Sequence, residues 1–197
     1  MIKLFIDIFS SLRSFSSLRT IISTKREKRR LKKLREMGMS IGKNVYIPIT
    51  TYLDTHYCYL ITLGDNVRFG PNCTILAHDA TMLKVVLAAR IGLVTIHESC
   101  SIGFGAVILP GVEIGARSII GAGSVVSSNI PSDSIAVGNP AKVIASTRDI
   151  IRYHKIAMKK QPIFASNEYN KFPLSKKKRD EIINKLREHS DTSGYMK

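Results

Sequence analysis

The chain has 197 residues, 44% of them apolar, and a formal net charge of +15. This length and apolar content suit a single folded domain with appendages and argue against a chain that is disordered throughout. Its three cysteines form no CxxC pair, which argues against a disulfide framework or a cysteine-rich zinc site and fits a reducing cytosol.

The positive charge is concentrated at the two ends of the chain. Lys and Arg outnumber Asp and Glu by 11 to 3 in residues 1–36 and by 13 to 6 in residues 145–197, whereas residues 37–144 contain 6 of each. A nucleic-acid groove would be expected in the folded middle, and that part is neutral. The distribution therefore disfavours nucleic-acid binding and predicts three parts: a basic N-terminal segment, a central domain and a basic C-terminal extension.

The N-terminal segment predicts an amphipathic helix. Apolar residues recur at a spacing near 3.6 in residues 1–22, and residues 25–36 follow as a cationic block. Charged residues interrupt the apolar stretch and no small-residue cleavage site ends it, so neither a signal peptide nor a membrane span is predicted. Two roles stay open for the helix. It caps the open end of the central domain, or it holds a cytoplasmic protein against anionic lipid at the inner face of the membrane.

In the central domain an aliphatic or aromatic residue recurs every six positions. We call these residues rungs; the clearest are Leu63, Phe69, Ile75, Ile96, Ile102, Ile108, Ile114, Ile120 and Val126. Glycine often follows a rung, as at Gly103 and Gly115, where we expect it to supply backbone angles that other residues resist. In an ordinary β-sandwich, the six-residue spacing of apolar residues and the glycines that follow them would be a coincidence.

A period of six matches neither a helix nor an alternating strand, and indicates a short strand followed by a tight corner. Three such faces close a coil of about 18 residues, and about five coils fit between Ile41 and Val143. The predicted fold class is therefore an all-β solenoid with helical appendages at both ends.

The ladder of rungs has one long interruption, at about residues 79–95. A break of this kind predicts a loop that projects from the solenoid. His78 stands directly before the break, in the segment ILAHDATM.

The C-terminal extension predicts two helices. One begins at Thr147 and is stopped by Pro162, and the other runs from about Ser175 to Glu188. Their lysines are more typical of a solvated face than of a nucleic-acid site.

The stretch IGFGAVILPGVEIGARSIIGAGSVVSSNIPSDSIAVGNPAKVI (residues 102–144) resembles the C-terminal half of the hexapeptide-repeat acetyltransferases. That family includes galactoside and maltose O-acetyltransferases and many capsule and lipopolysaccharide acetyltransferases, and the IGAGSVV and GNPAKVI elements are specific to it. The resemblance covers about residues 41–146. It implies a left-handed parallel β-helix, a homotrimer with active sites between subunits, and acetyl-coenzyme A as co-substrate.

The resemblance also implies a catalytic base. In the family, a histidine just before a loop that leaves the helix has this role, and His78 matches it. A neutral imidazole can take the proton of a hydroxyl as its oxygen attacks a thioester. Asp54 and Asp79 are candidates to orient His78 or to bind acceptor hydroxyls. His56 is a candidate for the acceptor side, and His97 replaces a glycine after a rung, although it could approach the same face as His78 one coil away.

Matched residue by residue, five positions fall where the family contacts acetyl-coenzyme A: Phe104, Ala122, Ser127, Ser128 and Lys142. Lys142 matches a basic residue that meets the phosphate end, as a flexible ammonium group would. Phe104 departs from the usual small residue. Some proteins with the same helix hold zinc with three histidines, but the ladder beyond His97 has no histidine, so we expect no metal.

Together these observations predict an acetyl-coenzyme A-dependent O-acetyltransferase that acts on a saccharide hydroxyl in polysaccharide synthesis. An N-acetyltransferase acting on an amino sugar or another small amine stays open. So does a non-catalytic trimeric scaffold, and so does a lipid or nucleic-acid binder driven by the basic ends.

Overall fold

The computed structural model describes residues 25–165, 173–189 and 193–196. It forms two compact units, of which the first ends at Thr147 and the second begins at Arg148. The helix predicted at residues 1–22 lies outside the described residues.

The first unit is built from strands of two to five residues. In chain order they are β1 (Ser40–Ile41), β2 (Tyr52–Leu53), β3 (Ile61–Leu63), β4 (Arg68–Phe69), β5 (Thr74–Ile75), β6 (His78–Asp79), β7 (Arg90–Ile91), β8 (Val94–Ile96), β9 (Ser101–Ile102), β10 (Val107–Ile108), β11 (Glu113–Ile114), β12 (Ile119–Ile120), β13 (Val125–Val126), β14 (Ser134–Val137) and β15 (Lys142–Ser146). Three rows of parallel strands result: β1-β3-β8-β11, β2-β5-β10-β13 and β4-β9-β12-β14. The last strand, β15, turns back antiparallel on β14.

The rungs point into the solenoid and stack on one another, as predicted from their spacing. Leu63 pairs with Ile96, and Ile96 with Ile114. Ile75 pairs in the same way with Ile108. All of these side chains are at most 1% exposed, so the six-residue period is confirmed as the period of the core.

The glycines that follow rungs have a different cause from the predicted one. None of them has a positive φ. A Cβ added to Gly103 would lie 2.5 Å from the backbone nitrogen of Ala122, one coil further on. These glycines are therefore required because neighbouring coils approach closely, and not for their backbone angles.

A left-handed backbone conformation occurs two residues after these glycines, at the third position after most rungs. The residues there are Asn44, Asn66, Asn72, Ser99, Gly105, Gly111, Arg117, Gly123 and Asp133. Asparagine, aspartate and glycine tolerate this conformation best, which accounts for most of the set.

These two kinds of glycine predict different costs of substitution. Gly103→Ala is expected to lower the free energy of unfolding by about 1–3 kcal/mol, because its Cβ overpacks a backbone that cannot move alone. Gly123→Ala is expected to cost about 1 kcal/mol, because its Cβ meets open space and only the left-handed conformation is strained. Denaturant unfolding measures both, and a Gly103→Ala variant as stable as the wild type would contradict the close-approach explanation.

The start of the solenoid is covered by a helix, α1, at residues 25–36. Leu34 is 3% exposed and belongs to the core cluster, with Leu31 packed against it. The guanidinium of Arg30 donates to the carbonyls of Pro48 and Thr51 in the first coil, and burial lowers the pKa of Arg30. Residues 25–36 therefore cap the open end, whereas the role predicted for the helix of residues 1–22 lies outside the described residues.

A hairpin interrupts the solenoid between β5 and β8, at the predicted break. Its strands β6 and β7 pair antiparallel, with His78 opposite Ile91, and the short helix α2 (Leu83–Val86) lies between them. Its apolar side chains are exposed: Met82, Leu83, Val85, Val86, Leu87 and Ile91.

The second unit has helices at both predicted places. They are α3 (Thr147–Ala157), whose first residue closes the first unit, and α4 (Lys176–Arg187), where the Ser175 side chain accepts a hydrogen bond from Lys178 N. The sequence did not predict the parallel pair of strands β16 (Ile163–Phe164) and β17 (Tyr195–Met196). Across the described residues, no helix is long and apolar enough to cross a membrane.

Candidate active site

His78 lies where the hairpin leaves the solenoid. It stands three residues after the rung Ile75 and opens β6. Its side chain is 28% exposed, and its Nδ1 is hydrogen-bonded to a carboxylate oxygen of Asp54. The ring of Tyr57 packs against it, with ring centroids 4.8 Å apart and planes tilted by 38°.

Asp54 comes from the preceding coil, directly after the rung Leu53. Its side chain is fully buried, and its Oδ2 accepts the backbone N–H groups of Ala77 and His78, each at 3.1 Å. Its Oδ1 accepts the N–H of Tyr57 at 3.2 Å. Stacking of successive coils therefore places the aspartate beneath the histidine, 24 residues apart in sequence.

The hydrogen bonds decide the charge of this carboxylate. Burial alone would raise the pKa of Asp54, but the hydrogen bonds from the His78 ring and from backbone amides outweigh it and hold the pKa below its ordinary value. An ionised carboxylate can only accept, so Nδ1 of His78 carries a proton. In the neutral ring, Nε2 then holds the lone pair.

This lone pair gives the site its chemistry. Among the described residues no group is hydrogen-bonded to His78 Nε2. A histidine whose far nitrogen is open and whose near nitrogen is fixed by a buried carboxylate can accept a proton from a bound hydroxyl, and the carboxylate stabilises the imidazolium that results.

The other predicted residues near the base are placed differently. Asp79 faces Thr81: its carboxylate accepts hydrogen bonds from the Thr81 N–H at 2.8 Å and from the Thr81 hydroxyl at 2.5 Å. These hydrogen bonds lower the pKa of Asp79.

His56 is exposed in the same turn as Asp54. His97 lies at another corner, after β8, with its Nε2 2.7 Å from Glu113 Oε1. The structure thus brings Asp54 to His78 and does not bring His97 to it.

Tyr57 is the neighbour of His78 that the sequence did not indicate. The turn after Asp54 folds back so that the Tyr57 amide reaches that carboxylate, which carries the aromatic ring to the imidazole. No local sequence signal separates Tyr57 from His56 or Tyr59, because only the conformation of this turn decides which side chain faces the histidine.

The five residues matched to coenzyme binding lie on late coils. Phe104 and Ala122 occupy the same corner on successive coils, and Phe104 O accepts the N–H of Gly123 at 2.8 Å. Ser127 and Ser128 follow the rung Val126 of β13, in the row that contains β5. They therefore lie at the corner that leads to His78, two coils or about 10 Å further along the solenoid.

All five of these residues are exposed, including Lys142, which opens β15. Their side chains are therefore available to a ligand.

The three cysteines are free and buried, and burial raises the pKa of each thiol. In the part of the chain that the structure describes, no three His, Cys, Asp or Glu side chains are grouped so that they could hold a metal ion.

The sequence and the fold match known proteins. Residues 94–128 match the family model described as bacterial transferase hexapeptide (six repeats). Galactoside O-acetyltransferases are similar in sequence. That of Escherichia coli is 36% identical over 119 residues, covering 57% of this chain and 56% of its own, and that of Lactococcus lactis is 36% identical over 115 residues, covering 55% and 56%. The chain thus spans about half the length of these relatives.

A solved structure matches over a larger share of its length. The maltose O-acetyltransferase of Clostridium difficile is 30% identical, with a TM-score of 0.50 over 60% of this chain and 75% of that one. The similarity to hexapeptide-repeat acetyltransferases implies that the coils wind as a left-handed β-helix. The repeat, the stacked rungs and these matches show that the chain belongs to the hexapeptide-repeat acetyltransferase family.

Proposed function

We propose that the protein transfers an acetyl group from acetyl-coenzyme A to a hydroxyl of a saccharide acceptor, with His78 as general base. The observation that carries this proposal is the buried Asp54 carboxylate, which is hydrogen-bonded to His78 Nδ1 and to backbone amides and leaves Nε2 open. The similarity to galactoside and maltose O-acetyltransferases supports the saccharide hydroxyl as acceptor.

In this mechanism the proton moves through one nitrogen. His78 Nε2 removes the proton of the acceptor hydroxyl as its oxygen attacks the thioester carbon. The carbon–sulfur bond then breaks, and the imidazolium returns the proton to the departing thiolate. Asp54 acts as a positioning residue that stabilises the imidazolium between these steps.

The late coils suit the co-substrate. Acetyl-coenzyme A supplies the acetyl group as a thioester. Ser127 and Ser128 would line its path towards His78, and Phe104 and Ala122 would present backbone groups at the neighbouring corner. Lys142 would meet the phosphates with a flexible positive charge.

The hairpin supports a site shared between copies of the chain. Its apolar side chains are highly exposed, with Val85 at 72% and Leu87 at 86%, and proteins rarely leave such a cluster in water. We propose a homotrimer in which each hairpin covers the site of a neighbouring copy.

The proposal is tested by incubating the pure full-length chain with acetyl-coenzyme A and a panel of sugars and amino sugars while free thiol is followed. We expect thiol release with a neutral saccharide, and acetate esterified to its hydroxyl by mass spectrometry. Acetylation confined to amino sugars would indicate an N-acetyltransferase instead. Failure to bind coenzyme A in calorimetry would indicate a non-catalytic scaffold.

A further inference from the structure

The outward face of α3 and the turn that follows it carry a straight row of cations. Arg148, Arg152, Lys155 and Lys159 are spaced by four, three and four residues, which places them one above another on a single helix face. All four are exposed. The row contains no acidic residue; Asp149 lies beside it.

Two isoleucines flank this row. Ile151 is 53% exposed and Ile156 is 49% exposed, on opposite sides of the cations. Together with the four basic residues they line one open groove. The opposite face of the helix, with Ile150 and Ala157, is the half-buried one. The exposed isoleucines are therefore additional to the half-buried side chains of the opposite face.

The combination of features narrows the choice of partner. The aliphatic stems of arginine and lysine extend the apolar surface of the isoleucines, while their charged ends reach further out. A flat surface that is negative outside and apolar beneath matches this order, because the cations meet headgroups while the isoleucines enter the boundary with the acyl chains. A nucleic acid or an acidic polysaccharide would use the cations and leave the isoleucines in water.

We propose that this face of α3, which we call the α3 basic face (Arg148, Ile151, Arg152, Lys155, Ile156 and Lys159), docks on an anionic lipid bilayer. This surface is distinct from residues 1–22, and the inference does not depend on the proposed acetyl transfer.

Vesicle co-sedimentation of the full-length chain tests the proposal. We expect binding to vesicles of phosphatidylcholine mixed with phosphatidylglycerol and none to phosphatidylcholine alone. Reversing two charges of the row, in Arg152→Glu/Lys155→Glu, should weaken partitioning at least about tenfold. The matched control is Lys176→Glu/Lys177→Glu on α4, which makes the same change in net charge and should retain binding within about threefold.

A second variant separates lipid from other polyanions. Ile151→Ser/Ile156→Ser keeps every charge and should weaken vesicle binding about tenfold, because it removes the apolar area that enters the lipid. Its retention on heparin should equal that of the wild type. Circular dichroism checks that both helix variants are folded.

Two results would overturn the proposal. If Arg152→Glu/Lys155→Glu partitions like its control, any lipid contact lies elsewhere, as in residues 1–22. If Ile151→Ser/Ile156→Ser binds vesicles as well as the wild type, the face is a general anion-binding surface.

Discussion

Replacing His78 with alanine is expected to lower kcat by about 10²- to 10⁴-fold, the usual contribution of a general base. Binding of coenzyme A should change little, because the proposed mechanism places the imidazole at the reacting hydroxyl and the coenzyme along later coils. Thiol release at saturating acceptor measures kcat, and calorimetry measures the affinity for coenzyme A.

The matched control for this variant is His154→Ala. His154 lies in the second unit, where its Nδ1 is 2.8 Å from the Tyr195 hydroxyl, and its removal should leave kcat within about twofold. A His78→Ala enzyme that turned over as fast as this control would refute the assignment of the base.

Asp54→Asn is expected to lower kcat by a similar factor, about 10²- to 10⁴-fold, with a small effect on coenzyme affinity. The Asp54 carboxylate accepts donors on both oxygens: the Ala77 amide, the His78 amide and the imidazole on Oδ2, and the Tyr57 amide on Oδ1. An amide has only one acceptor oxygen, so its NH₂ group must face donors on one side. Where the NH₂ group faces the imidazole, the ring would favour the tautomer with its proton on Nε2, where the lone pair is needed.

Comparison with Asp79→Asn distinguishes the two carboxylates that the sequence left as alternatives. Asp79 is bonded within the hairpin, so its substitution should affect kcat much less than that of Asp54. Equal losses in the two variants would contradict a specific positioning role for Asp54.

The pH dependence of stability gives a readout of the same residue. The pKa of Asp54 is lowered on folding, so its carboxylate stabilises the folded state above the unfolded-state pKa, near 3.9, and loses this effect as pH falls through the lower folded-state value. Asp54→Asn should therefore be less stable than wild type by about 1–3 kcal/mol at neutral pH. We expect the difference to shrink below about pH 4 in denaturant unfolding.

The solenoid was predictable from the sequence because each rung can be identified from its spacing to nearby residues alone. An inward residue every six positions identifies Ile96, Ile108 and Ile114 without knowledge of any distant contact, and all three are fully buried. The reason for the glycines that follow rungs was not accessible in the same way. The clash at Gly103 involves Ala122 on the next coil, which becomes visible only when the coils are stacked.

The site was predictable only in part, for the same reason. His78 was indicated by its position before the break in the ladder, and the family resemblance supplied its proposed role. Choosing Asp54 over Asp79 required the stacking of two coils, since Asp79 is the nearer residue in sequence. The position of Tyr57 depends on a turn that is held by the buried carboxylate of Asp54. The pairing of β16 with β17 joins segments about thirty residues apart that carry no periodic signal.

The hairpin that begins at His78 is a place where the chain can change in length without disturbing the coils. Leu63 pairs with Ile96, and Ile96 pairs with Ile114. The chain between Leu63 and Ile96 contains the whole hairpin, whereas the chain between Ile96 and Ile114 contains no such insertion, and the two pairings are nevertheless of the same kind. A segment that leaves and rejoins at one corner therefore alters neither the order nor the alignment of the strands around it. Adding or deleting one residue inside a coil, by contrast, would turn the next rung outward. Sequence variation in the hairpin can thus alter the surroundings of His78 while the order and alignment of the strands in the solenoid stay the same.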